Sequence, residues 1–153
     1  MKSWRPPIVT PKSTYKPVIA VVTQHEARVW AHGTDMNAHP EIVLPPDPER
    51  RHPHVRTGED DHMHHRDSAE APYFEAIVHA VSGAGYLILV GHGKGNGSEM
   101  ERFRAYLERK YPRLAETVVG ALRVNLPAMK ETEVLSMARE WFEQQMRLGE
   151  IRD

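Results

Sequence analysis

One stretch, residues 85–101, constrains the fold of this chain most strongly, because it combines a strand, a glycine-rich turn and a helix start in direct succession. Its apolar run at 86–90 is short enough for a strand and apolar enough to be buried on both faces of a sheet. Alternate glycines follow, and glycine permits the sharp turns that present backbone amides. Ser98 and Glu101 then have the spacing of a capping box at a helix start. The stretch, GYLILVGHGKGNGSEME, therefore predicts half of a β-α-β unit.

The glycine turn is also a candidate anion site. Backbone amides and a helix N-terminus attract negative charge, and Lys94 would add a cation. The turn is not a Walker loop, because Lys94 is followed by Gly95 rather than by Ser or Thr, and its glycines do not fit G-x-G-x-x-G. Two interpretations of the turn therefore stay open: a phosphate contact at Lys94, or a tight connection between strand and helix without a ligand.

Composition points to one globular domain. The chain has 153 residues, a net charge of −1 and no cysteine. This length suits a single domain, and the nearly neutral charge means that any RNA contact must come from local patches. The lack of cysteine excludes disulfides and thiolate metal sites and fits a cytoplasmic protein. No apolar run approaches ~18 residues, and residues 1–16 lack the apolar core of a signal peptide, so we expect neither a membrane span nor secretion.

The rest of the chain alternates between strand and helix patterns. Apolar or alternating runs predict further strands over 17–24, 26–32, 41–44 and 118–125, with the first two joined as a hairpin near His25 and a bulge or weak point at Gly120. Helical spacing predicts helices that start at Pro72 and span 98–110 and 131–146. Three strands followed by βα alternation predict an α/β fold: an antiparallel meander and then a βαβ unit in a mixed five-stranded sheet flanked by helices. This is the RNase H-like arrangement, within a single domain over residues 17–148.

Residues 1–16 carry the first group of candidate binding residues. They hold four cations, no acid and three prolines, a composition that favours a basic extended N-terminal arm. A frayed tail is one interpretation. The other is an arm that becomes ordered on a phosphate-rich partner, with Lys2, Arg5 and Lys12 contacting phosphates.

Residues 45–71 carry the second group, in a segment without apolar periodicity that predicts a long His-rich loop. Arginine pairs with phosphate and histidine stacks on bases, so an RNA contact is the favoured interpretation, although four arginines face seven acids. Imidazole and carboxylate also bind zinc and other transition metals, so a metal site is the alternative, and a solvated loop is the third possibility. The RNA candidates are Arg50, Arg51, His52, His54, Arg56, His62, His64, His65 and Arg66, and the metal candidates are His52, His54, His62, His64 and His65.

The pattern over residues 17–146 resembles the middle domain of the archaeal and eukaryotic class-I peptide-chain release factors. It is most similar to the small single-domain bacterial relatives called translational machinery proteins. The features that carry this resemblance are the hairpin VIAVVTQHEARVWAHG, the His-rich loop, the helix PYFEAIVHAV, the segment YLILVGHGKG, and PRLAETVVGALRVNLP leading to a last helix with AREWF. The resemblance implies association with the ribosome or tRNA.

The chain departs from the release factors where they carry their catalytic tripeptide. Their loop after the third strand holds Gly-Gly-Gln, whereas the corresponding loop here has Gly58 as its sole glycine and no glutamine. We therefore expect a non-catalytic factor that binds the ribosome or tRNA in ribosome inactivation, hibernation or rescue. The alternatives are a metal-binding protein and a peptidyl-tRNA hydrolase with a substitute loop.

Two other kinds of chemistry find little support in the sequence. Nuclease chemistry needs carboxylates on core strands to hold metal ions, and the predicted strands at 17–24, 86–90 and 118–125 contain none. No G-x-S-x-G nucleophile elbow occurs either. His92, beside the glycine turn, is a lone candidate of a kind that is usually structural.

Overall fold

A computed structural model of the chain describes residues 17–31, 39–46, 59–93 and 98–151, with the side chains of the first helix described from Glu70 onward. The strands are β1 (Val18–Val22), β2 (Ala27–Trp30), β3 (Glu41–Val43), β4 (Leu87–His92) and β5 (Val118–Val124). The helices are α1 (Glu59–Val81), α2 (Glu99–Lys110), α3 (Pro112–Ala115) and α4 (Glu131–Leu148), with a 3-10 turn at Leu126–Ala128 before α4. No helix in these ranges has both the length and the apolar character needed to cross a bilayer.

The five strands form one mixed sheet in the order β3-β2-β1-β4-β5. The pairs β1–β2 and β2–β3 are antiparallel, whereas β1–β4 and β4–β5 are parallel. In the central strand, Ala20 lies opposite Val29 on one side and Leu89 on the other. This topology confirms the predicted α/β fold, a mixed five-stranded sheet of RNase H-like type flanked by helices.

Both faces of the sheet are covered, which explains why β1 and β4 are apolar at every position up to Val90. One face packs against α1 and α2, and the opposite face packs against α4. Successive residues of a strand point to opposite faces, so Ala20 and Leu89 face α1 and α2 while Ile19 and Ile88 face α4. Most of the apolar residues at helical spacing are buried, whereas Trp141 and Met146 of α4 are only partly buried. The buried ones are Tyr73, Phe74, Ile77, Val78 and Val81 in α1, Met100, Phe103, Tyr106 and Leu107 in α2, and Val134, Leu135, Ala138 and Phe142 in α4.

Helix α1 begins much earlier than the sequence predicts. It starts at Glu59 and continues through Pro72, whereas the sequence predicts a loop over 45–71 and a helix that begins at Pro72. The sequence of the missed part, residues 59–71, has no apolar periodicity, so no hydrophobic pattern marks it as a helix.

Two glycines mark close contacts between the sheet and the helices. A Cβ atom at Gly91 would lie 2.6 Å from the Met100 Cβ, so the glycine lets α2 approach β4. A Cβ at Gly120 would lie 2.3 Å from the Trp141 ring, which packs on the backbone of β5. The register of β5 on β4 also shifts by one residue next to Gly120, which confirms the predicted bulge.

A polar cluster joins α1 to α2 at the protein surface. The Glu75 carboxylate accepts hydrogen bonds from the hydroxyls of Tyr106 and Tyr111, the latter at 2.6 Å, and from the Lys110 ammonium at 3.1 Å. The hydrogen bond from Tyr106, followed by that from Tyr111, lowers the pKa of Glu75 to about 2. The carboxylate form therefore stabilises the packing of the two helices.

Candidate functional site

The edge of the sheet where β1, β4 and β5 end is the natural place for a ligand. These strands are parallel neighbours, so their carboxyl ends lie side by side, and α/β sheets bind ligands outside this edge. Strand β3 ends here as well, because Val43 lies opposite Ala27, the first residue of β2. The chain after Val43, which continues toward the predicted RNA-binding segment, therefore leaves the sheet at this edge.

A tight turn follows β1 at this edge. The Thr23 hydroxyl donates to the Glu26 carbonyl at 2.9 Å and accepts from the backbone N–H groups of His25 and Glu26 at 3.1 and 3.2 Å. The backbone N–H of Thr23 also donates to the Glu26 carbonyl. These bonds hold the exposed side chains of Gln24 and His25 at the tip of a rigid turn.

His92 ends β4 beside this turn. The backbone N–H of Leu126 donates to the His92 Nδ1 at 3.2 Å, and the Val124 carbonyl oxygen lies 3.3 Å from the same nitrogen. The amide contact requires Nδ1 as an acceptor and the carbonyl contact requires it as a donor, so which contact is a hydrogen bond depends on the tautomer of the ring. Either contact ties β4 to the chain after β5.

Helix α2 begins at the same edge, as the sequence predicts. The Ser98 hydroxyl accepts from the backbone N–H of Glu101 at 3.2 Å, the N-cap bond expected from the S-x-x-E spacing. Gly93 has φ +82°, the left-handed conformation that glycine adopts easily, and it turns the chain immediately after β4. The predicted strand and capped helix are confirmed in this order, and residues 94–97 of the predicted turn lie outside the described residues.

These elements enclose a cavity of about 510 Å³, a size suited to a small organic ligand. Its wall is apolar on one part and polar on another, with an arginine, a carboxylate, two imidazoles, an amide and two hydroxyls. The lining residues are Val22, Thr23, Gln24, His25, Arg28, His92, Ser98, Glu99, Leu126 and Pro127. We refer to this space as the edge cavity.

The charges at the edge cavity compensate one another. The guanidinium of Arg28 lies between two carboxylates: its Nη1 donates to Glu131 at 2.6 Å, and its Nε lies 3.0 Å from Glu26 without the alignment of a hydrogen bond. The carboxylate of Glu99 is only 11% exposed and lies 3.9 Å from the Arg102 Nε. The cavity therefore presents an arginine that is already neutralised and a half-buried carboxylate, which disfavours a phosphate in its interior.

Tyr73 supports the turn that lines one side of the edge cavity. Its hydroxyl donates to the Thr23 carbonyl at 2.6 Å, which connects α1 to the turn after β1. Burial, and then the negative charges of Glu99 and Glu26, raise the pKa of Tyr73 far above its usual value. The Tyr73 hydroxyl therefore stays protonated at neutral pH and keeps its hydrogen bond to the Thr23 carbonyl.

Most of the candidate residues named from the sequence lie outside the described part of the chain. Lys2, Arg5, Lys12, Lys94 and the group from Arg50 to Arg56 belong to segments that the structure does not describe. His62, His64, His65 and Arg66 lie within α1, but their side chains are not described. Among the described side chains, no group of three histidines or carboxylates is arranged to hold a metal ion. The predicted RNA and metal ligands therefore lie outside the described side chains, and their arrangement stays a prediction.

Several basic residues of the described surface are paired with carboxylates. Arg102 makes two bonds to Glu70, at 2.6 and 2.7 Å, and Arg123 makes two bonds to one oxygen of Glu101, at 2.9 and 2.5 Å. These pairs hold α2 to α1 and to β5, respectively. Their positive charge is therefore committed to the fold rather than offered to a partner.

Sequence reasoning missed the edge cavity, although its parts had signals. Thr23 and Gln24 were predicted to lie in the first strand and His25 at the hairpin connection, and His92 was a lone candidate of a kind that is usually structural. A usable signal was the position of His25 and His92 at the carboxyl ends of two strands that become parallel neighbours.

Comparisons of the chain with protein-family models, with curated proteins and with solved structures find no match.

Proposed function

We propose that this chain is a cytoplasmic, non-catalytic translation-associated factor that binds the ribosome or tRNA. Its RNA contacts would come from the basic segment 47–58, helped by the arm at 1–16 and by Lys94. Ribosome inactivation, hibernation or rescue is the process that such a factor would serve. Its partner would be ribosomal RNA or tRNA, without a membrane or DNA.

The observation that carries this proposal is where the segment after β3 departs. In the release factors that the sequence resembles, this segment carries the tripeptide that enters the ribosome. Here the chain leaves β3 at the carboxyl edge of the sheet and returns as the 23-residue helix α1. Eleven residues of α1 precede Glu70, which amounts to about 16 Å of helix at 1.5 Å per residue. The segment is thus attached at the edge where α/β domains meet their ligands.

The distribution of charge supports the same segment. Residues 47–58 hold three arginines and two acids, whereas residues 59–70 hold one arginine and five acids. The described arginines that pair with carboxylates contribute little attraction for phosphate. Because the lost Gly-Gly-Gln removes the catalytic group of the release factors, binding rather than hydrolysis is the activity we propose.

The proposal is tested by sedimenting the protein with 70S ribosomes and with separated subunits at about 50 and about 200 mM salt. We expect one protein per ribosome at low salt and weaker binding at higher salt. The triple variant R50A/R51A/R56A should flatten the slope of log affinity against log salt by about 2 to 3, one unit for each lost phosphate contact.

A matched control removes three charges elsewhere. The variant R113A/R139A/R147A has the same change in net charge but alters α3 and α4, so it should bind like the wild type. Full affinity in R50A/R51A/R56A, or an equal loss in the control, would contradict the assignment of segment 47–58. Absence of binding by the wild-type protein at both salt concentrations would contradict the translation function itself.

A further inference from the structure

We propose that the open edge of β5 pairs with β5 of a second copy of this chain, as two antiparallel strands around a twofold axis at Leu122. Strand β5 is the last in the order β3-β2-β1-β4-β5, so it has a neighbouring strand on one side only. The pairing would join the two sheets into one continuous sheet. It does not depend on the proposed binding to the ribosome, because segment 47–58 follows β3 at the other end of the strand order.

The backbone of β5 has hydrogen-bonding groups that point away from β4. The Gly93 N–H donates to the Val124 carbonyl at 3.4 Å, so this carbonyl points toward β4. Because the N–H and C=O groups of successive strand residues point to opposite sides, those of Ala121 and Arg123 point to the open side. Within the described residues, no backbone hydrogen bond reaches β5 from that side. These groups are therefore available to a further strand.

Strand β5 lacks most of the features by which proteins protect such an edge. It is seven residues long, it holds no proline, and Arg123 is its sole charged residue. The Arg123 guanidinium donates to the Glu101 carboxylate at 2.5 and 2.9 Å, so its charge is already compensated. The strand at the other edge, β3, has three residues. The length and apolar character of β5 therefore make it the edge better suited to pairing.

The regular part of this edge, residues 120–124, sets the register of the pair. The register of β5 on β4 shifts just before Gly120, and this bulge distorts the start of the strand. An antiparallel pair that uses the whole regular part has its axis at the middle residue, Leu122. In this register Ala121 lies opposite Arg123 of the second copy, and each of the two equivalent pairs exchanges two hydrogen bonds.

Charge and the bulge disfavour the neighbouring registers. An axis at Arg123 would place the two arginines directly opposite each other, and like charges in that position destabilise a strand pair. An axis at Ala121 would place Arg123 opposite Val119, which lies in the bulge. With the axis at Leu122, each arginine lies opposite an alanine and keeps its bond to Glu101.

The side chains on the face covered by α4 also fit a second copy in this register. Leu122 and Val124 are only partly buried on this face. Leu122 would lie opposite itself in a pair without direct hydrogen bonds, where side chains approach closely. Val124 of the second copy would lie opposite Gly120, against which the Trp141 ring packs, and would contact the edge of that ring. The pairing therefore buries apolar surface as well as satisfying backbone groups.

The small size of this interface determines its strength. A stable dimer buries about 800 Å² on each partner, contributed by about 20–30 residues. Here five residues of each strand pair, with the flanks of the two α4 helices beside them. We therefore expect a reversible dimer with a dissociation constant on the order of 100 μM.

The oligomeric state of the intact protein tests the pairing. Sedimentation velocity between about 10 μM and about 1 mM should show a monomer at low concentration and mostly dimer at the highest. Wild-type protein that stays monomeric at about 1 mM would overturn the proposal.

A proline in β5 tests whether the open backbone groups make the contact. Ala121→Pro removes an N–H that points to the open side, so the bonds between β5 and β4 stay in place. It should weaken the dimer at least about tenfold, because each copy loses a hydrogen bond to the other and the proline ring obstructs the approach. The melting temperature checks that the variant is folded. Folded Ala121→Pro that dimerises like the wild type would overturn the proposal.

Single cysteines test the twofold axis without a proline, because the chain has no cysteine of its own. Leu122→Cys places one thiol of each copy at the axis, where facing Cβ atoms come close to the separation that a disulfide needs. Leu148→Cys is the control, because Leu148 is 62% exposed but lies on α4 outside the paired strands. With oxidised glutathione, Leu122→Cys should form a disulfide-linked dimer at least about tenfold faster than Leu148→Cys. Equal rates, or faster dimer formation by Leu148→Cys, would overturn the pairing around Leu122.

Discussion

Replacing Gly91 by alanine should destabilise the protein because it forces α2 away from β4. The new Cβ would lie 2.6 Å from the Met100 Cβ and 3.3 Å from its Cγ. The Met100 Cβ cannot rotate away, since it is fixed to the helix backbone, so the helix or the strand must move. Overpacking of this kind costs about 1–3 kcal/mol, and the lower chain entropy of alanine in the unfolded state offsets about 0.4–1 kcal/mol.

The expected net loss is therefore about 1–2 kcal/mol, equivalent to a fall in Tm of about 2–8 °C for a domain of this size. Urea unfolding followed by tryptophan fluorescence measures it, with the m-value as a check on two-state behaviour. Gly85→Ala is the matched control, because a Cβ there meets nothing within 4 Å and should leave stability unchanged or slightly raised. Unchanged stability of Gly91→Ala, or an equal loss in Gly85→Ala, would refute the close-packing argument.

Three further predictions concern the polar contacts and turns. The pKa of Glu75 falls from 4.5 to about 2 on folding, so its carboxylate stabilises the protein above pH 4.5 and loses that effect as the pH falls toward 2. In Glu75→Gln, the free energy of unfolding should therefore change less with pH over this window than in the wild type. Glu143→Gln is the control and should keep the pH dependence of the wild type. Thr23→Ala removes the hydroxyl that closes the turn after β1 and should cost about 1 kcal/mol in urea unfolding, while Thr23→Ser should keep the stability of the wild type. Gly149 ends α4 with φ +79°, so Gly149→Ala should lower the free energy of unfolding by about 1 kcal/mol, and a smaller loss is expected for Gly149→Asn, which tolerates this conformation. Equal stability of Gly149→Ala and the wild type would contradict the last prediction.

The sheet and its helices were predictable because their apolar residues follow the period of each element. The strand that contains Leu89 is apolar without interruption, which predicts burial on both faces, and α4 and α1 cover those faces. The start of α1 was not predictable in this way. The sequence of residues 59–71 has no apolar period, and Pro72 is a residue typical of a helix start although it lies inside α1.

The edge cavity was not predictable from the sequence because its wall comes from four separate elements. Gln24 and Arg28 belong to the first hairpin, His92 to β4, Glu99 to α2, and Leu126 to the turn after β5. Each of these residues is ordinary in its local context. Only the pairing of β1 with β4, between residues about seventy positions apart, brings them to one edge.

The central claim is that segment 47–58 contacts RNA on the ribosome, and site-specific photo-cross-linking tests it most directly. A photoreactive amino acid is placed at position 51, in the segment, or at position 147, on the outer side of α4, and the protein is irradiated together with ribosomes and tRNA. We predict cross-links to ribosomal RNA or tRNA from position 51 and none from position 147. Ribosome-bound protein that does not cross-link to RNA from position 51, or that cross-links equally from position 147, would contradict the claim.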